Sequence, residues 1–135
     1  MLRQTKYKII IYALAGLILL TLFGFWLYWA SAQARDYERL ADLKVWQNIL
    51  SDYYAQNGTY RIPDCGAGET LSRCLKVAGG RWAINNIDDP INASPYRYAV
   101  ASLSDDDYEI SFTLEAGIGG LAPGQYLWTK GGVKR

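Results

Sequence analysis

Apolar and polar positions divide the chain into stretches of different period. From Ile9 to Ala34 no residue is charged, and Ile9–Trp29 is almost wholly Ile, Leu, Ala, Phe, Tyr and Trp. A helix crossing a bilayer needs about 20 apolar residues, so this run predicts a membrane span. Beyond it the pattern becomes amphipathic. Tyr37, Leu40, Leu43, Trp46, Leu50 and Tyr53 recur at steps of three and four, as one helix face requires. Arg35, Asp36, Arg39, Asp42 and Lys44 fall mostly on the other side and read as a solvated charged face, with Asp36–Arg39 and Arg35–Asp42 as its pairs. Neither Pro nor Gly occurs between Trp26 and Asn57, and Asn57-Gly58 is a stop signal. One continuous helix is expected from about Ile9 to Gln56, about 70 Å long at 1.5 Å per residue.

Residues 58–95 are loop-like, with a short helix expected around Leu71–Val77. The period then becomes two. Tyr96, Tyr98 and Val100 alternate with Arg97 and Ala99, and Tyr108, Ile110, Phe112 and Leu114 with Glu109, Ser111, Thr113 and Glu115. Such alternation predicts half-buried strands, with Ser104–Asp107 as their hairpin connection. A third strand is expected at Gln125–Thr129, and Lys130–Arg135 as a frayed end. The expected fold class is α+β. The helix face Leu40, Leu43, Trp46, Leu50 and Tyr53 should pack on an antiparallel sheet whose core is Tyr108, Ile110, Phe112 and Leu114, burying both apolar faces in two layers.

Charge sets the orientation. Arg3, Lys6 and Lys8 precede the span, whereas Arg35 is soon balanced by Asp36 and Glu38. The positive-inside rule keeps the N-terminus in the cytoplasm. The expected organisation is a basic cytoplasmic N-terminus (1–8), a transmembrane helix (9–33), its extramembrane continuation (34–57) and a globular part carrying a disulfide loop and the sheet (58–135). The chain is then a single-pass membrane protein whose C-terminal part is periplasmic or extracellular. A cleaved signal peptide is the competing reading, since Ala30-Ser31-Ala32 has the small-x-small form; the apolar run is longer than the 7–15 residues of a typical signal core. Tyr12, Trp26, Tyr28 and Trp29 suit interfacial belts, or reflect general hydrophobicity. Gly16 and Gly24 are eight apart, a weak match to close helix packing.

Composition narrows the chemistry. The chain has 135 residues, half of them apolar, and a net charge of +1, which gives no reason to expect a nucleic-acid surface. It has no histidine, which removes Ser-His-Asp and Cys-His catalysis and any zinc site with a histidine ligand. Cys65 and Cys74 are expected to pair if exported, by about 2–3 kcal/mol in the chain-entropy view; two free thiols are the alternative. Asp88 and Asp89 precede Pro90 and read as turn residues rather than an acid–base pair. Asp105, Asp106 and Asp107 offer oxygen ligands for calcium but lack a spaced ligand pattern, so a solvated turn is preferred. Asn57-Gly58-Thr59 and Asn92-Ala93-Ser94 are formal glycosylation sequons or plain turn chemistry. Trp82, Tyr126 and Trp128 form either a sugar-binding surface or, at strand spacing, core. No catalytic, cofactor or metal residue is assigned, and no enzyme activity is expected.

Several residues in order resemble the type IV pilin and type II secretion pseudopilin superfamily, nearest the G-type major pseudopilin. They are Ala34-Arg35-Asp36, Arg39, Asp42-Leu43, Leu50, Tyr53-Tyr54, Asn57-Gly58-Thr59-Tyr60 and Pro63, then Asp89-Pro90, Tyr96-x-Tyr98, Tyr108-Glu109-Ile110 and Leu114-Glu115. The likeness covers residues 34–115. It implies a helix half embedded in membrane lipid and packed on a small sheet. It further implies a non-enzymatic structural subunit, or an anchored component, of a pilus or secretion apparatus, which associates with itself or other pilin-like subunits through the helix. Some G-type members bind calcium near the end of the sheet, a loop this chain does not match. The N-terminus departs from the family: the span opens Lys8-Ile9-Ile10-Ile11-Tyr12, without the Gly of a prepilin peptidase site or the following glutamate. The alternative to a subunit is an anchored extracytoplasmic domain binding a glycan or an envelope protein.

Overall fold

The computed structural model describes residues 2–79 and 87–135. Trp82, a member of the aromatic trio, lies outside the described residues. The chain forms helix α1 (Leu2–Asn57), helix α2 (Leu71–Ala78) and strands β1 (Ala99–Leu103), β2 (Tyr108–Leu114), β3 (Gly124–Thr129) and β4 (Gly132–Lys134). The class is α+β, a long apolar helix followed by a small antiparallel sheet, a layout consistent with pilin-like architecture.

α1 runs for 56 residues without a break, about 84 Å at 1.5 Å per residue. Its end is set by Asn57-Gly58. Gly58 takes a φ of 69°, the left-handed conformation that glycine adopts without steric cost. Its N–H donates to the Tyr54 carbonyl at 2.7 Å, and Asn57 Nδ2 donates to the Tyr53 carbonyl at 2.9 Å. Two carbonyls left open at the helix terminus are thereby satisfied.

The four strands lie in chain order as an antiparallel meander. Ile110 faces Val100 on one side and Trp128 on the other, and Phe112 faces Tyr126. Alternation puts Tyr108, Ile110, Phe112 and Leu114 on one face, where all four are buried. They share a core with Leu43, Trp46, Leu50 and Tyr53 of α1; Leu40 is half-buried at its margin. Tyr126 and Trp128 also belong to this core.

Two strand expectations need correction. The strand drawn over Tyr96–Val100 lies further on, at Ala99–Leu103, with a register irregularity between Val100 and Ser102. Tyr98 precedes it and is buried; its carbonyl accepts the Leu71 N–H at 3.1 Å instead of a sheet partner. The C-terminal segment is not a frayed end over its whole length, because Gly132–Lys134 pairs with Leu127–Thr129 as β4. On the opposite edge, the Gly68 N–H donates to the Val100 carbonyl and the Val100 N–H to the Glu69 carbonyl, both at 2.8 Å. Residues 68–71 thus cover the open edge of β1, which would otherwise expose unpaired backbone groups. Cys65 and Cys74 form a disulfide, with Cα atoms 5.1 Å apart, that ties the chain just before this covering segment to α2 just after it.

α1 changes character along its length. Every residue from Tyr7 to Trp29 is exposed, whereas Ala30 is half-covered and Ala32 is buried. Among the described residues this is the one helix long and apolar enough to cross a membrane.

Candidate functional site

The most unusual side-chain arrangement is at the junction of α1 with the loops below the sheet. The buried stripe of α1 runs Ala32, Asp36, Arg39, Leu43, Trp46, Leu50 and Tyr53, steps of four and three in alternation. Its lower half is therefore charged. This corrects the reading of Asp36 and Arg39 as a solvated pair: both are 0% exposed. Tyr37, assigned to the apolar face, is 65% exposed. The physical reason is that the loops bring two further carboxylates to meet the arginine.

Arg39 is the hub. Its Nε donates to Asp89 Oδ2 at 2.6 Å and its Nη2 to Asp89 Oδ1 at 3.1 Å, a two-pronged contact. Its Nη1 reaches Asp36 Oδ1 at 2.8 Å and Glu115 Oε1 at 2.7 Å. The Tyr96 ring lies against the guanidinium, with its centroid 4.9 Å away. Arg35, one turn below, makes a second two-pronged contact with Glu115, at 2.8 and 2.6 Å. Planar guanidinium groups suit such paired contacts with carboxylates.

Asp36 fastens the backbone as well. Its Oδ1 accepts the Glu115 N–H at 2.9 Å, and its Oδ2 accepts the Ala116 and Gly117 N–H groups at 2.8 and 2.9 Å. Three successive donors point at one carboxylate because the chain turns there. Gly117 takes a φ of 83°, and a Cβ on it would run into the Leu121 carbonyl. Asp89 Oδ1 likewise accepts the Ile91 N–H at 2.8 Å. Asp89 thus serves the turn at Pro90 and also supplies a buried charge.

Burial works against the charged form of Arg39, but hydrogen bonds to Asp89, Glu115 and Asp36 outweigh it and hold its pKa above the ordinary value. Hydrogen bonds from Arg35, and then Arg39, hold the Glu115 carboxyl below its ordinary range despite burial. Next along the helix, burial raises the Asp42 pKa, opposed by the hydrogen bond that Tyr98 Oη donates at 2.8 Å. Burial and that same bond push the Tyr98 phenol upward.

A permanently charged guanidinium among carboxylates that already accept donors has no proton to exchange near neutral pH. What it does is mechanical. It fixes the loops after Asp88 and after Leu114 to one level of α1.

The other candidates lie apart from this junction. Asp105 accepts from Thr59 Oγ1 at 3.0 Å and pairs with exposed Arg61 at 3.1 Å, and Asp107 Oδ1 accepts the Tyr108 N–H at 2.8 Å. These bonds build the β1–β2 turn at the far end of α1. Asp88 accepts from Ser72 Oγ at 2.7 Å, tying α2 to the loop before Pro90. No metal-holding group of three or more His, Cys, Asp or Glu side chains occurs among the described residues.

Sequence reasoning missed the ion-pair hub, although one sign of it was present. Counting backwards from Tyr53 and Leu50 in alternating steps of three and four passes through Trp46 and Leu43 and lands on Arg39, Asp36 and Ala32. No family model matches the chain, and neither the curated proteins nor the solved structures provide a significant match.

Proposed function

We propose that this chain is a single-pass membrane protein with a cytoplasmic N-terminus, whose external domain is built on the continuation of its own anchor. In this reading it is a non-enzymatic, pilin-like structural subunit or anchored component of a pilus or type II secretion-like apparatus. One observation carries the proposal: a single helix is bare over Tyr7–Trp29 and serves as a wall of the folded core beyond Ala32. The bare part is about 35 Å at 1.5 Å per residue, enough for a hydrocarbon layer of about 30 Å. The Cys65–Cys74 disulfide supports exposure of the domain to an oxidising compartment. The lateral partners would be copies of the chain or other pilin-like subunits, meeting through the bare helix.

The test has two steps. The intact mass of protein from native membranes distinguishes a retained anchor from a chain cut after Ala32. Recovery of the protein in mechanically sheared surface filaments, or in cross-linked oligomers bridged through the span, is then expected. A soluble domain beginning at Gln33 would overturn the anchored reading.

A second reading draws on a shallow depression on the outer sheet face, lined by Ala99, Ala101, Ser111, Gln125, Leu127 and Arg135. Its small side chains and terminal guanidinium favour an anchored binding domain for a glycan or an envelope protein. Specific retention on such a ligand, with a monomeric span and no filaments, would select that reading.

A further inference from the structure

The underside of the globular part carries a surface that anchoring does not by itself require. β2 runs down the molecule. Its upper end lies near the end of α1, where the Asp105 carbonyl accepts the Tyr60 N–H at 3.3 Å. Its lower end meets Asp36, which holds the backbone N–H groups of residues 115–117. The connection beyond Glu115, residues 116–123, therefore leaves the sheet at the end nearest the bare helix. A second loop, 90–96, is fastened about one helical turn further along, by Asp89 on Arg39. Neither loop contains a charged residue. Ile91 is 39% exposed, and Ala93, Pro95, Gly119, Ala122 and Pro123 are exposed too.

Their height follows from the helix. Coverage begins at Ala30–Ala32, about 5 Å beyond the last bare residue, Trp29, and Asp36 is about 10 Å beyond it. With a hydrocarbon layer of about 30 Å inside a bilayer of about 40–45 Å, the headgroup zone on each side is only about 5–8 Å deep. A domain starting so soon after the span meets that zone. Five of the charges near this level are paired, Arg39 with Asp36, Asp89 and Glu115, and Arg35 with Glu115; Glu38 and Arg97 are exposed but lie outside the two loops.

We propose that the loops 90–95 and 118–123 rest in the headgroup layer of the bilayer that α1 crosses, so that the domain is seated on the membrane and not held clear of it. This rests on the reading of α1 as a retained span. The occupant is lipid because both loops lie at the end of the domain from which the bare helix emerges, and because they offer neutral, small and apolar groups toward the headgroup boundary. Binding by uncharged loops should be insensitive to salt.

The test uses the full chain in phosphatidylcholine vesicles, with the native disulfide oxidised and one environment-sensitive label per variant. Labels are placed at Ile91→Cys and Ala122→Cys in the loops, Asp106→Cys at the far tip and Phe23→Cys in the span. A nitroxide on the lipid headgroup should quench the two loop labels several-fold more strongly than the tip label, equally at low and high salt. A chain-buried nitroxide should quench the Phe23 label. If the span label is quenched while the loop labels behave like the tip, the seating is wrong and the anchor stands. Failure to quench the span label would remove both. If the loop labels are shielded from lipid and water alike, and become exposed on dilution in lipid, a second copy covers the surface and the inference is overturned.

Discussion

Removing the Arg39 side chain would leave Asp36 and Asp89 buried without their compensating charge. Breaking a buried ion pair from one side typically costs about 3–5 kcal/mol, so Arg39→Ala should lose stability on that scale. The Arg35 side chain is 28% exposed, and solvent screening reduces its contribution; Arg35→Ala should cost about 1 kcal/mol. Denaturant titration of the two variants in detergent, followed by near-ultraviolet circular dichroism, compares them directly. Equal losses would mean that Arg39 is not the hub. Titration gives an independent check at Glu115. A carboxyl depressed by folding adds stability above its unfolded pKa, here an ordinary value of 4.5, and loses it as pH falls through the lower folded value. Asp42 is shifted the other way, so protonation there favours the folded state in acid and opposes the loss. Glu115→Gln should therefore lower the melting temperature at pH 7, with the gap from wild type closing as pH falls below about 4.5. In Asp42→Asn the acid limb should steepen. A gap for Glu115→Gln that stays constant into strong acid would remove Glu115 from the account.

The helix and the sheet depend on each other because neither has another surface to bury its apolar stripe. Leu50 and Ile110 are both 0% exposed and lie on opposite sides of the core, so replacing either by Ala should cost about 2–5 kcal/mol. Val45, on the outer face of α1 and 43% exposed, should tolerate Ala within about 0.5 kcal/mol. Thermal melts of the three variants test the packing, and a neutral Leu50→Ala would sink it. The disulfide joins residues nine apart; replacing both cysteines by Ala should lose about 2–3 kcal/mol on the chain-entropy account. Part of that loss would come from loosening the segment that covers the edge of β1. These elements show what local pattern can carry. The long apolar run, the Asn57-Gly58 stop and the alternation over Tyr108–Leu114 each express a period that one segment contains, and each was legible. β4 was not, because Gly132–Lys134 is a strand only through pairing with Leu127–Thr129. The position of β1 depends on pairing across the hairpin in the same way. Burial of Asp36 and Arg39 was equally hidden, since the Asp89 carboxylate meets Arg39 from 50 residues away along the chain, and the backbone N–H groups that meet Asp36 come from 79 to 81 residues away.

Continuity of α1 gives the whole molecule a definite geometry. An apolar segment joined by a flexible linker would let the folded domain tumble; here the bare segment and a wall of the core are one helix, and the ion-pair hub begins within two turns of the last bare residue. On the proposed reading of that segment as a retained span, membrane tilt and domain orientation should therefore be coupled. Spin labels at Ile18→Cys in the span and Ser51→Cys on the exposed side of the domain helix should be about 50 Å apart, from 1.5 Å per residue. Dipolar spectroscopy of the full chain in lipid nanodiscs should return one narrow distribution near that distance. Ser31→Pro adds a break between the two halves. Ser31 is exposed, and Pro there removes a backbone donor and meets the carbonyl four residues back. The distribution should broaden and move shorter, while the near-ultraviolet signal of the domain remains, because the contacts of Arg39, Leu43 and Trp46 lie beyond the break. A broad distribution in the unmodified chain would mean that span and domain move independently, and the shared helix would lose its role as the device that sets the domain's height and direction.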